Sequence, residues 1–226
     1  MARPKLEHLL TERPNRASRD LDRLSPVRVA RLMNREDRRA VDAVGRVAPR
    51  IAAAVALITR ALAAGGRLFF VGAGTSGRLG VLEAAECPPT FGTPPRLVQA
   101  IMAGGRGAVF RSREGAEDDA AAAARVVRAR VRAGDVVVGV SASGVTPFVR
   151  AALAAAAARG AATILVACNP RTGVRVRADL VIAPAPGPEV LAGSTRLKAG
   201  TATKLVLNTL TTASMARLGK IGRAHV

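Results

Sequence analysis

Short apolar runs recur along the chain at Arg67–Gly72, Leu97–Ala103, Val136–Val140, Thr163–Cys168 and Leu180–Ala183, each bounded by Gly, Pro, Asn or Asp. Runs of this length, β-branched or aliphatic and set between turn formers, predict strands. Helical patterns separate them at Gly77–Ala85, Gly115–Arg132 and Pro147–Arg159, and a last helix is expected from about Thr195 to Leu218. The alternation predicts an α/β fold, a three-layer sandwich with a mostly parallel five-stranded sheet flanked by helices. Open sheets of this kind bind ligands at the carboxyl ends of their strands, so the loops there should carry the chemistry. No tandem repeat is visible.

Ahead of the alternation, residues 1–45 are polar, Arg-rich and punctuated by Pro14 and Pro26. They read as an N-terminal helical arm, with helix from Val27 onward and Ser25 or Asn34 as caps. One long amphipathic helix is expected from about Glu36 to Ala64, stopped by Gly65-Gly66. The main domain then takes in residues 46–220.

Composition narrows the function. Hydrophobic residues make up 49% of the 226 but aromatics only 2%, so the core must be built from Ala, Val and Leu. The formal charge of +19 raises the question of nucleic acid. The positive residues are nearly all Arg, scattered along the chain without interleaved aromatics, so no stacking platform is present and nucleic acid is not the expected partner. Cys87 and Cys168 lie far apart, which signals neither a disulfide scaffold nor a zinc site. With only His8 and His225, most histidine-based triads and metal sites drop out. The amino terminus lacks a signal-peptide core, and the Ala-rich stretch 151–162 is too short to span a bilayer. A cytoplasmic location and no membrane association are expected.

Two loops stand out. The first strand runs into Gly72-Ala73-Gly74-Thr75-Ser76-Gly77-Arg78, a G-x-G-x-x-G pattern. The second strand ends Ile101-Met102-Ala103-Gly104-Gly105, without the carboxylate that a dinucleotide ribose requires. The loop reads better as an anion cradle, with Gly74 and Gly77 admitting close backbone approach and Thr75 and Ser76 adding hydroxyls. The third strand repeats the device in Ser141-Ala142-Ser143-Gly144-Val145-Thr146-Pro147. Ser141, Ser143 and Thr146 around Gly144 at a helix start suit a phosphomonoester; simple capping would use one hydroxyl and not three.

Acids lie between these loops. Glu83 and Glu86 share a helical face, and Pro88-Pro89 is expected to end that helix with Glu86 near the loops. Glu117 belongs to the run Glu114–Asp119, where acids in a first helical turn are ordinary. Further on, Gly187–Lys204 gathers Glu189, Ser194 and Lys198 around a Gly-Ser-Thr-Arg helix opening that also suits an anion.

Together these residues resemble the N-acetylmuramic acid 6-phosphate etherase family, over residues 6–220. The motifs are Gly72–Gly80 with Glu86-Cys87-Pro88-Pro89, Glu114–Asp118, Ser141–Pro147 and Gly187–Asn208, with an amino-terminal pattern of Leu10-Thr11-Glu12, Asn15, Ser18 and Leu21-Asp22. Position 145 departs from the pattern, which carries a basic residue where this chain has Val145. The resemblance implies a sugar-isomerase (SIS) fold working as a homodimer, without metal or organic cofactor, on a small sugar phosphate. The implied reaction is a carbon–oxygen lyase step that yields N-acetylglucosamine 6-phosphate and D-lactate during cell-wall sugar recycling. It maps the two active-site glutamates onto Glu86 and Glu117. Such chemistry needs an acid for the departing lactyl oxygen and a base for the C2 proton, and two carboxyls can supply both. Which of the two is the acid stays open.

Two relatives of the same fold class give rival expectations. A sugar-phosphate-sensing regulator need not keep both glutamates, and an aldose–ketose isomerase needs no lactyl pocket. The carboxyl end departs from the pattern altogether: residues 221–226 read as a non-native tail, and His225 with them as chemically meaningless. The last helix carries Leu205, Val206, Leu210, Met215 and Leu218, expected to form a stripe partly covered by a further region.

Overall fold

The computed structural model describes residues 9–170 and 176–221. His8 and residues 222–226 of the expected tail, His225 among them, lie outside the described residues. Three short 3-10 turns, at Leu10–Glu12, Arg16–Ser18 and Leu21–Arg23, lead into helices α1 (Pro26–Arg46) and α2 (Ala48–Ala63). The single helix expected over Glu36–Ala64 is therefore two. Val47 leaves helical geometry at φ −103° and ψ 12°, and Pro49 falls in the first turn of α2. Without an amide, Pro49 cannot bond back to Gly45, so a helix can begin there but not run through.

The sheet then forms from β1 (Leu68–Gly72), β2 (Val98–Met102), β3 (Val136–Val140), β4 (Ala162–Val166) and β5 (Leu180–Ile182). All four pairings are parallel, in the order β2-β1-β3-β4-β5. The connecting helices are α3 (Gly74–Phe91), the short α4 (Gly107–Phe110), α5 (Ala120–Arg130) and α6 (Pro147–Ala158), and α7 (Lys198–Arg217) follows the sheet. Alternate strand residues feed two cores. Leu68, Phe70, Val138 and Ile164 pack with α2 and α7 on one face, and Phe69, Val71, Val137 and Leu165 with α5 and α6 on the other. This is the three-layer sandwich expected from the alternation.

Two expectations about helices change. Helix α3 runs through Pro88 and Pro89 to Phe91. Both prolines sit in its last turn, where Gly92, at φ 63°, closes on the Pro88 carbonyl at 2.9 Å. Each lacks the amide that would bond back to Ala84 or Ala85, and the helix ends within one turn of them. On α7, Val206, Leu210 and Met215 of the expected stripe are fully buried in the α2-side core, while Leu205 and Leu218 are half-buried. None of the described helices is long and apolar enough to cross a membrane.

Candidate active site

Crossovers leave β1 and β3 in opposite directions, so the two neighbours mark the switch point of the sheet, where a crevice opens at the strand ends. In register, Gly72 of β1 lies beside Val140 of β3 and Met102 of β2. The three loops that follow therefore leave from one level of one edge.

Glycine makes the first loop possible. A Cβ on Gly77 would come within 2.6 Å of the Gly72 carbonyl oxygen and 2.3 Å of Met102 Sδ. This close approach seats the first turn of α3 directly on the end of β1, with Gly74 left-handed at φ 54°. The amides at the start of α3 and the hydroxyls of Thr75 and Ser76 consequently face the crevice.

The second loop organises itself. Ser141 is buried, and its Oγ accepts from the Gly144 amide at 3.0 Å and lies 2.7 Å from Thr146 Oγ1. Ser143 Oγ accepts from the Val145 amide at 3.2 Å. Gly144, at φ 74°, supplies the left-handed turn. Ser141 thus braces the loop from within, while Ser143 and Thr146 present their side chains outward.

Both loops line one cavity of about 350 Å³, to which Gly74, Thr75, Ser76, Ser143 and Thr146 contribute. The loop after β2 closes another side. There Arg78 donates to the Ala108 and Val109 carbonyls at 2.9 and 2.8 Å, pinning α4 against α3. Glu117 rides on a 3-10 turn, Ala116–Asp118, and lines the same cavity. The sequence predicts one helix over Gly115–Arg132; Asp119 interrupts it, leaving helical geometry at φ −76° and ψ 76° while its side chain accepts from the Ala122 amide at 2.8 Å to start α5.

The other expected site residues fall elsewhere. Gly77, Ser141 and Gly144 are buried beneath the cavity as framework. Ser194 is flanked by two residues that line the cavity, Gly193 and Thr195, but does not line it. Glu189 is buried, and its two carboxylate oxygens accept the Lys198 and Ala199 amides at 2.9 Å, capping α7. Burial raises its pKa above the ordinary carboxyl range, the two amide bonds offsetting only part of that rise. Lys198 is likewise buried and reaches Glu36 of α1. Neither Glu189 nor Lys198 lines the cavity.

Glu86 is exposed and also stands outside the cavity. It follows Gly74 by twelve positions on one helix, so it lies about 18 Å along the axis from the glycine loop rather than near it. Glu83, on the neighbouring turn, is tied to α7, accepting from Thr211 Oγ1 at 2.7 Å. Burial pushes the Cys87 thiol up to about 12, with Glu83 adding to the rise, and burial does the same for Cys168, so neither is a ready nucleophile. A larger groove, about 1150 Å³, runs along the outer edge of β2. It is lined by guanidinium and aliphatic groups such as Arg125, Arg130 and Val98, and the hydroxyls of the two loops do not enter it. Among the described residues no group of three or more His, Cys, Asp and Glu could hold a metal ion.

Among the cavity-lining side chains that the sequence did not point to are Arg113 and Glu12. The signal for Glu12 lay in the amino-terminal pattern that contains Leu10-Thr11-Glu12, but nothing in local sequence brings that segment to strand ends so far downstream.

Comparison with known proteins places this geometry. Residues 50–157 match the glucokinase regulatory protein N-terminal SIS domain, and residues 116–213 the SIS domain. Among solved structures, phosphoheptose isomerase GmhA from Neisseria gonorrhoeae superposes with a TM-score of 0.61 at 21% identity, covering 84% of this chain and 98% of its own. The Vibrio vulnificus NanR protein complexed with ManNAc-6P gives 0.59 at 19% identity, covering 88% of this chain and 70% of its own. These likenesses establish the SIS fold. Sequence relatives go further. The N-acetylmuramic acid 6-phosphate etherase of Symbiobacterium thermophilum is 54% identical over 216 residues, 96% of this chain and 72% of the relative. That of Gloeobacter violaceus is 57% identical over 218 residues, 96% of this chain and 71% of the relative. With identity this high across nearly all its length, the chain belongs to the N-acetylmuramic acid 6-phosphate etherase family.

Proposed function

We propose that this chain cleaves the D-lactyl ether of N-acetylmuramic acid 6-phosphate to give N-acetylglucosamine 6-phosphate and D-lactate, a step in cell-wall sugar recycling. The observation that carries this reading is the meeting of two hydroxyl-bearing loops and Glu117 in one cavity of an etherase-family chain. The phosphate fits the loop side, where Ser76, Ser143 and Thr146 offer neutral donors beside two helix amino termini. Holding the substrate by this remote group fixes the reacting carbons without touching them.

The chemistry needs the open-chain sugar, whose C1 aldehyde acidifies the C2 proton. A base removes that proton while an acid delivers one to the ether oxygen on C3. The C3–O bond breaks, lactate departs, and a C2=C3 double bond conjugated to the aldehyde remains. Water then adds, its hydroxyl to C3 and a proton to C2, completing net hydrolysis. Glu117, which lines the cavity, is assigned one of the two carboxyl roles.

The second carboxyl comes from a dimer in this reading. Glu86 cannot meet Glu117 over one substrate inside a single copy, since it lies down the helix and outside the cavity. Leu82, 39% exposed, and Glu86 share a face of α3 at i, i+4 spacing, and Phe110 on the adjoining α4 is 84% exposed. A second copy seated on this α3–α4 face would cover both apolar side chains, and in this reading it supplies its own Glu86 to the cavity. Twofold symmetry makes the arrangement reciprocal. The expected location is the cytoplasm, where sugar phosphates are confined.

The deciding experiment is a D-lactate assay on purified protein supplied with N-acetylmuramic acid 6-phosphate. Lactate and N-acetylglucosamine 6-phosphate should appear in equal amounts. Turnover of fructose 6-phosphate without lactate would mark an isomerase, and tight sugar-phosphate binding without turnover a regulator; either outcome overturns the proposal.

A further inference from the structure

The arm carries a carboxylate into the cavity along a defined route. The Leu10 amide donates to Asn169 Oδ1 at 2.8 Å, and Asn169 Nδ2 donates in turn to the Ala142 carbonyl of the second loop at 2.9 Å. One residue further, the Thr11 carbonyl accepts from the Gly193 amide at 3.1 Å, and the Thr11 side chain is buried. Glu12 follows these two anchored residues, and its side chain lines the same cavity as Ser76, Ser143 and Glu117. Its Oε1 accepts from Thr11 Oγ1 at 3.2 Å. Its Oε2 lies 2.9 Å from where a Cβ on Gly193 would stand, and Gly193 is left-handed at φ 75°, so that position admits the carboxylate by having no side chain.

The lining groups differ in chemistry. An ionised carboxylate only accepts hydrogen bonds, and so does a phosphate dianion, which makes the two poor neighbours. The loop end offers donors and suits the phosphate. Glu12 can accept a further donor from a ligand, and the donors on a sugar phosphate are its hydroxyls and its amide.

We propose that Glu12 contacts the substrate, accepting a hydrogen bond from a hydroxyl or amide of the sugar and so fixing the orientation of its carbon chain relative to Glu117. The inference rests on the reading of the cavity as a sugar-phosphate site. It also assigns the arm a share in recognition: Asn169 links the arm to the second loop, so the two walls belong to one hydrogen-bonded frame.

The test compares two probes by calorimetry, N-acetylglucosamine 6-phosphate and inorganic phosphate, on wild type, Glu12→Ala and Glu12→Gln. Glu12→Ala should weaken the sugar phosphate about tenfold or more, the loss of a hydrogen bond to a charged group, and leave inorganic phosphate within about twofold. Glu12→Gln, which keeps the shape and hence the seat of the arm, should fall between with an unchanged melting temperature. Equal affinities across all three proteins would overturn the proposal. So would a parallel loss of both probes, because that pattern belongs to an arm that merely braces the loops. Absence of lactate release by wild type would remove the assigned reaction, yet the binding comparison would still decide the role of Glu12.

Discussion

Lys198 Nζ and Glu36 Oε2 stand 2.5 Å apart, with side chains 0% and 3% exposed. They join the amino end of α7 to the middle of α1 across 162 positions of sequence. Asn15 of the arm donates to the same carboxylate oxygen at 2.8 Å, and Arg39 pairs with the other at 3.1 Å. Burial by itself would raise the Glu36 pKa, but the bonds from Lys198 and Asn15 outweigh it and hold the carboxyl below its ordinary range.

Glu36→Gln should therefore destabilise the protein by about 3–5 kcal/mol near pH 7, because it strands the Lys198 charge in the interior. A carboxyl held low in the fold contributes stability above its unfolded pKa, and that contribution is lost as pH falls through the lower folded value. The gap between wild type and Glu36→Gln, read by urea unfolding, should close on acidification below about pH 4. Glu189, pushed upward, acts with the opposite sign. A gap independent of pH would contradict this account. The double variant Glu36→Gln/Lys198→Met should cost less than the two single changes added together.

Ser143 faces the cavity whereas Ser141 is spent on its own loop. Ser143→Ala should weaken sugar-phosphate binding by about 1–3 kcal/mol with little change in melting temperature. Ser141→Ala should lower both, since it removes the hydroxyl that ties Gly144, Ser143 and Thr146 together. Identical profiles for the two variants would remove the distinction.

A site shared between copies predicts complementation. Glu86→Gln and Glu117→Gln should each lower lactate release about 100-fold or more. Mixed and allowed to exchange subunits, they should recover up to roughly a quarter of wild-type activity, because half the dimers are mixed and each mixed dimer has one intact site. No recovery despite demonstrated exchange would place both glutamates in one copy. Solvent deuterium exchange at C2 should survive loss of the acid and vanish with loss of the base.

Gly77→Ala should destabilise by at least about 1–3 kcal/mol. The Met102 side chain could swing aside, but the Gly72 carbonyl, 2.6 Å from the new methyl, belongs to the sheet. Gly107→Ala, which meets nothing within 4 Å, should stay within about 0.5 kcal/mol on the same thermal-unfolding measurement.

The sheet was legible because each strand is a short apolar run between turn formers, and β3 falls on Val136–Val140 as its hydrophobic pattern indicates. The two loops were legible because a local motif, glycine with hydroxyls at a helix start, carries its own geometry. Helix breaks were read less well. Pro49 falls in the first turn of α2, where no amide is needed and a new helix begins, whereas Pro88 and Pro89 fall in the last turn of α3, which ends only at Phe91. Lys198 and Glu189 look like anion ligands in one dimension; only the packing of α1 against α7 shows their charges already satisfied. Glu12 could not be assigned to the cavity from local pattern, since its place depends on Asn169 and Gly193.

The strap formed by the arm also has a meaning for synthesis of the chain. Leu10, Asn15 and Ser18 close hydrogen bonds with residues 159, 173 and 172 positions later, at Asn169, Pro188 and Val190. Residues made first are thus among the last to find their partners, and the entropy of closing so long a loop falls on a late step. During translation the arm must wait, undocked and rich in arginine, until the segment around 188–193 has left the ribosome. The cavity acquires its Glu12 wall only then, so the ability to grip a sugar phosphate through that wall arrives with completion of the fold rather than with assembly of the sheet.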